Sequence, residues 1–134
     1  MLDMIKLPTV PGVHDPIGRY VHAMVHNGLI YVSGCGPFDA GGHLVGARNV
    51  AAQCQQILEN ARLILERAGS SPAYVLKETV YLTDIESRFA TRVEREKFYG
   101  AHTPASTLVG VASLTHPDMI VEMDFVAAVI DDTV

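Results

Sequence analysis

The chain has 134 residues, of which 49% are hydrophobic and 19% charged, enough apolar content for one domain with a buried core and too much for a disordered segment. A domain this short leaves much apolar surface uncovered, which favours self-association. Its net charge is −5 with scattered basic residues, which argues against tracking a nucleic-acid backbone.

Residues 1–18 hold Pro8, Pro11, Gly12, Pro16 and Gly18 and read as an extended, irregular lead-in. They carry no long apolar run of the kind a signal peptide needs. Two short β-like runs follow, Tyr20–Val25 and Leu29–Ser33, around His26-Asn27-Gly28. Asn-Gly is a hairpin signal because both residues tolerate positive φ. Gly34, Gly36, Pro37, Gly41 and Gly42 then break the chain into a loop.

The strongest helix signal runs from Val50 to Ala68. Val50, Cys54, Ile57, Leu58, Ala61, Ile64, Leu65 and Ala68 recur at three- and four-residue steps as one buried stripe. Asn49 supplies a cap and Gly69 a left-handed stop. Leu76–Leu82 alternates as a strand with Leu76, Glu78, Val80 and Leu82 on one side. Asp84 is placed to cap a second helix through Tyr99, with Ile85, Phe89, Val93 and the Lys97 stem as its stripe and Gly100 as its end. The run Arg92-Val-Glu-Arg-Glu-Lys97 reads as a solvated face. Two strands, Ser106–Ala112 and Met119–Ile130, close the order ββ-α-β-α-ββ. That order predicts a single α+β domain over 1–134, with two helices on one face of a mostly antiparallel or mixed sheet.

Chemistry concentrates in the last strand. Alternation puts Ile120, Glu122, Asp124, Val126 and Ala128 on one face. Two acids among aliphatic residues are either solvated at a boundary or desolvated, and desolvation raises a carboxyl pKa toward the range of proton transfer. Ser33-Gly34-Cys35-Gly36 follows a strand but lacks the nucleophile-elbow and phosphate-loop patterns. Its cysteine reads as a packed thiol before a nucleophile, and its glycines leave backbone N–H groups free to face a ligand. Tyr20 is equally suited to a core or to a pocket wall.

The six histidines read as turn or surface residues. His22 and His26 lie on a hairpin, not a helix, and His14, His43, His102 and His116 fall in or near loops, so no metal is expected. Cys35 and Cys54 fit no zinc spacing and are expected as reduced thiols. The longest apolar run, Phe125–Ile130, is too short to span a membrane, and a cytoplasmic location is expected.

Ordered stretches along the chain resemble the RidA/YjgF (reactive-intermediate deaminase) family: Ile17-Gly-Arg-Tyr20-Val-His, Leu29-Ile-Tyr-Val-Ser33-Gly34, Ala52-Gln53, Leu58-Glu-Asn60, Val75 through Asp84, Phe98-Tyr-Gly100, Pro104-Ala105-Ser106-Thr107 and Val121-Glu122-Met-Asp124. The resemblance spans residues 16–129 or so. It implies a chorismate-mutase-like α+β fold, a homotrimer with clefts between subunits, and hydrolysis of enamines and imines such as 2-aminoacrylate to 2-keto acids and ammonia without a metal or organic cofactor. It also implies a catalytic role for Glu122, which orients water, with Asp124 as the second acid of the strand. Substrate contacts are implied for Tyr20, Ser33, Gly34 and neighbouring Cys35, and for Ala105, Ser106 and Thr107.

One departure alters the expectation. Family members acting on amino-acid-derived imines carry an arginine where this chain has Ser106, and it grips the substrate carboxylate in a two-pronged bond. A hydrogen bond to a charged group contributes about 1.5–3 kcal/mol, so a serine predicts a substrate other than 2-aminoacrylate. The family's cleft asparagine falls on Arg92 or Val93, depending on a one-residue register. If it falls on Arg92, the guanidinium would reach the cleft and partly replace the missing substrate contact, with Arg19 as the second candidate. The alternative is a non-catalytic trimer that binds a small metabolite or partner in the inherited cleft. The endoribonuclease activity ascribed to some relatives fits poorly with a charge of −5.

Overall fold

In the computed structural model, which describes residues 3–130, eight elements follow one another: β1 (Met4–Leu7), β2 (Ala23–His26), β3 (Leu29–Cys35), α1 (Val50–Arg67), β4 (Val75–Leu82), α2 (Arg88–Tyr99), β5 (Ala105–Gly110) and β6 (Val121–Ala128). The strands form one six-stranded sheet in the order β1-β2-β3-β6-β4-β5. Pairing is antiparallel except between β4 and β5, which run parallel, joined by the α2 crossover. This is the expected α+β, chorismate-mutase-like architecture with both helices on one face.

Asn27 and Gly28 turn the β2–β3 hairpin at φ 54° and 75°, the double positive φ of a type I′ turn. β1 was not expected. Its four residues pair with β2 from Met4↔His26 to Leu7↔Ala23, but only Leu7 is buried. A short edge strand carries almost no alternation, and the proline and glycine signals begin just after it.

α1 follows its stripe closely. Asn49 Oδ1 accepts the Ala52 N–H at 3.0 Å, and Cys54, Ile57, Leu58, Ala61, Ile64 and Leu65 are buried. Two polar residues share that face. Gln53 donates to the carbonyls of Gly46 (3.0 Å) and Asp118 (2.7 Å) and accepts the Ile120 N–H at 2.8 Å. Asn60 donates to the Phe38 carbonyl at 2.9 Å. Buried amides of this kind must be satisfied, and these two tie the loops before β6 and after β3 to the helix.

Two other stripes are corrected. The register of β4 shifts between Val75 and Lys77, so Val75, Glu78, Val80 and Leu82 face inward while Leu76 is exposed. A one-residue irregularity flips every side chain before it. Asp84 caps only a 3-10 turn, Ile85–Ser87, and α2 starts at Arg88. Ile85, Phe89 and Val93 are exposed. The inward face instead carries Thr91, Glu94 and Tyr99, with Arg95 reaching Glu78. Glu78 is 1% exposed, and a buried carboxylate demands donors. That demand, not apolar periodicity, sets the rotation of α2, so the charged run 92–97 is not a wholly solvated face.

Candidate functional site

On the sheet face away from the helices, β6 alternates as expected: Val121, Met123, Phe125 and Ala127 are buried, and Glu122, Asp124, Val126 and Ala128 are half-buried. Glu122 lies opposite Tyr81 and Asp124 opposite Thr79 on β4. On the other side, β3 breaks register with β6 between Val32 and Cys35. Ser33 and Gly34 sit in that break, and a cavity of about 770 Å³ opens there, walled by Tyr20, Ser33, Gly34, Tyr81, Glu122 and Asp124.

Each wall residue is held from behind. Ser33 Oγ donates to the Val21 carbonyl at 2.6 Å and its N–H to the His22 carbonyl at 3.0 Å, which leaves the hydroxyl oxygen as an acceptor. Tyr20 Oη accepts the Ile17 N–H at 3.2 Å, so its proton is free to donate. Tyr81 donates to Asp124 Oδ2 at 2.7 Å, and that bond, with burial, pushes the Tyr81 phenol up. Burial, and then the neighbouring Asp124, pushes the Glu122 carboxyl above its ordinary value of 4.5.

Gly34 is where the site is tightest. A Cβ built on it would lie 3.0 Å from Glu122 Cδ and 3.1 Å from Oε1. Gly34→Ala is therefore expected to swing the carboxylate away while the core, which Gly34 does not enter, stays intact. Relieving that contact needs a shift of a few tenths of an ångström, so a loss of rate without a loss of stability is expected where the position of the carboxylate is critical. Steady-state kinetics beside a thermal melt would separate that loss from unfolding.

The remaining expected contacts do not join this cavity within one chain. Cys35 is buried beneath it, its Sγ donating to the Ser33 carbonyl at 3.5 Å. Burial, then Glu122 and Asp124, pushes its thiol up to about 12, and its side chain is not among those lining the large cavity. Cys54 is also pushed up to about 12, by burial first. Iodoacetamide at mildly alkaline pH is expected to label neither cysteine in the folded protein and both after denaturation, read by intact mass. Ala105, Ser106 and Thr107 lie on exposed edge strand β5. Ser106 Oγ donates to Glu78 Oε2 at 2.6 Å and accepts from Arg95 at 3.2 Å, and with Arg92 it lines a second cavity of about 310 Å³. Arg92 pairs with Glu96 at 2.9 Å, and Arg19 is exposed and outside the lining of the large cavity.

Sequence reasoning missed Tyr81, His14, Phe38 and His116, which also line the large cavity. Tyr81 was within reach, being the residue of β4 that alternation sends away from the core. His14 and His22 are buried, not surface turns. His22 Nε2 donates to the His14 carbonyl at 2.7 Å, and His14 Nδ1 to that of Asp15 at 2.7 Å. Burial lowers the His22 pKa. Among the described residues, no group of three or more His, Cys, Asp or Glu side chains is arranged to hold a metal ion, and no helix is long and apolar enough to cross a membrane.

Fold and cavity define an α+β protein whose open sheet face carries paired acids beside a Ser-Gly break. The chain belongs to the RidA/YjgF family, whose sequence profile, described as Endoribonuclease L-PSP, matches residues 12–129. A RutC family protein of Pyrococcus abyssi is 32% identical over 112 residues, covering 84% of this chain and 87% of its own. The crystal structure of RidA from Psychrobacter sp. superposes with a TM-score of 0.86 at 26% identity, covering 93% of this chain and 100% of that one. That of E. coli TdcF with bound serine gives 0.84 at 26%, covering 92% and 98%.

Proposed function

We propose that the protein hydrolyses a small reactive imine or enamine, releasing ammonia, with Glu122 as the catalytic acid–base group. The supporting observation is a desolvated Glu122 facing a cavity whose other walls are Tyr20 and the Ser33-Gly34 break. Water adds to the imine carbon as Glu122 takes one of its protons. From the protonated imine this gives a neutral carbinolamine. Its C–O double bond forms as the C–N bond breaks with the electrons on nitrogen. Glu122 returns its proton to that nitrogen, and the hydroxyl proton also passes to it, so that ammonium leaves. A carboxyl group whose pKa is raised toward the working pH suits both halves of that exchange. Family membership and a relative that holds serine favour a small-molecule ligand.

The substrate we assign is not 2-aminoacrylate, because the Ser106 hydroxyl is spent on Glu78 and offers no two-pronged grip. A homotrimer is part of the same proposal. Tyr20, Ser33, Gly34 and Glu122 lie in one cavity, and Arg92 and Ser106 line another. A neighbouring copy bringing its β5 edge to the first cavity would unite them. Light scattering that finds a monomer would remove this part. A non-catalytic binder is favoured only by the commitment of the Ser33 and Ser106 hydroxyls to internal acceptors.

The deciding assay generates acidic and uncharged imines with oxidases and follows ammonia and carbonyl release. Rates equal to buffer for every imine would overturn hydrolysis. Ser106→Arg is expected to raise activity on 2-imino acids. A folded, trimeric variant that gains nothing would place the carboxylate grip elsewhere.

A further inference from the structure

The charge of the large cavity is one-sided. Two carboxyl groups, Glu122 and Asp124, face it, and none of the described residues lining it is lysine or arginine. Two histidines also line it. His116 Nδ1 accepts the Asp118 N–H at 3.0 Å, which places a neutral ring's proton on Nε2. His14 uses Nδ1–H on a carbonyl, leaving Nε2 as the ring's remaining acceptor. The arginines nearest Ser106 are engaged, Arg95 with Glu78 and Arg92 with Glu96, while Lys77, beside β5, is hydrogen-bonded to Thr107 and has no carboxylate partner among the described residues. Five rings share the lining with the acids: Tyr20, Phe38 and Tyr81, with His14 and His116 edge-on to Phe38 at 5.6 and 6.3 Å. Acids backed by aromatic faces attract cations and repel carboxylates.

We propose that the cavity selects a cationic, carboxylate-free ligand, namely the protonated imine of a primary amine rather than of an amino acid. This rests on the hydrolase reading for its chemistry and on the cavity alone for its charge preference. The reaction is R–CH=NH2+ plus water giving R–CHO plus NH4+: the water oxygen bonds to carbon, the C–N bond breaks, and the water's protons leave on nitrogen. Product is an aldehyde, not a 2-keto acid. The reaction class that supplies such a substrate is two-electron oxidation of a primary amine by an oxidase or dehydrogenase.

The test has a binding arm and a turnover arm. Calorimetry on the full-length wild-type protein compares 2-phenylethylamine, 2-phenylethanol and 3-phenylpropanoate. The amine is expected to bind more than about tenfold tighter than the carboxylate, a modest outcome where a like charge costs several kcal/mol. Asp124→Asn is expected to shrink that ratio, which a merely structural effect on both ligands would leave unchanged. Equal or tighter carboxylate binding, or no amine binding, overturns the proposal. In the turnover arm, imines made from 2-phenylethylamine by an amine oxidase are compared with those made from phenylalanine by an amino-acid oxidase. Faster ammonia release only from the phenylalanine imine overturns the charge preference and leaves hydrolysis standing. Amine-selective binding with no turnover of either imine supports the preference and overturns hydrolysis.

Discussion

Replacing Glu122 with glutamine is expected to lower imine hydrolysis by about two to four decades, the contribution of a positioned acid–base group, while raising stability at neutral pH. Burial and Asp124 hold the Glu122 carboxyl above its ordinary value of 4.5. Below that value both folded and unfolded states are protonated, and the wild type loses nothing. As pH rises, the unfolded chain gives up its proton first, so stability falls until the folded group has ionised too. Glutamine keeps the shape without ionising, so the stability of the two proteins should diverge with rising pH in favour of the variant. Melts on both sides of pH 4.5 would read the divergence and an imine assay the loss. An inactive variant that is no more stable than wild type at neutral pH would mean that the carboxylate is well solvated, and the mechanism would lose its raised acid.

The sequence exposed those features that repeat. The α1 stripe, the Asn27-Gly28 turn and the β6 alternation are periodic or carried by residues with special backbone preferences, and each lies where its pattern puts it. Glu122, Tyr20, Ser33 and Gly34 came together because the resemblance named them and the sheet places them around one cavity. What could not be read was set by single, non-repeating events. A register shift at Val75–Lys77 turned Leu76 outward, and one buried acid, Glu78, turned α2 so that Phe89 faces solvent. Phe89 finds a partner there in the Arg88 guanidinium, 4.4 Å from its ring centre, a local contact that helical spacing does not encode. Tyr81, His14, Phe38 and His116 line the cavity from elements far apart in sequence, which no local window joins.

The acid that turned α2 also supports the largest stability change we expect. Glu78 accepts from Tyr99 Oη at 2.9 Å, Ser106 Oγ at 2.6 Å and Arg95 Nε at 3.0 Å, and Arg95 Nη2 donates to it as well. The pair is 19% and 1% exposed, so Arg95→Met would strand a carboxylate with two neutral donors. Breaking one side of a buried pair costs about 3–5 kcal/mol, a large share of the ~5–15 kcal/mol that holds a domain folded. Urea midpoints should fall accordingly. The double variant Glu78→Met with Arg95→Met should recover much of the loss, because an apolar pair of similar volume removes the stranded charge. If Arg95→Met costs no more than an exposed ion pair, about 0–1 kcal/mol, then Tyr99 and Ser106 alone satisfy Glu78, and the rotation of α2 needs another cause. The outcome bears on the second cavity too, since this cluster consumes the hydroxyl of Ser106, one of the residues that line it.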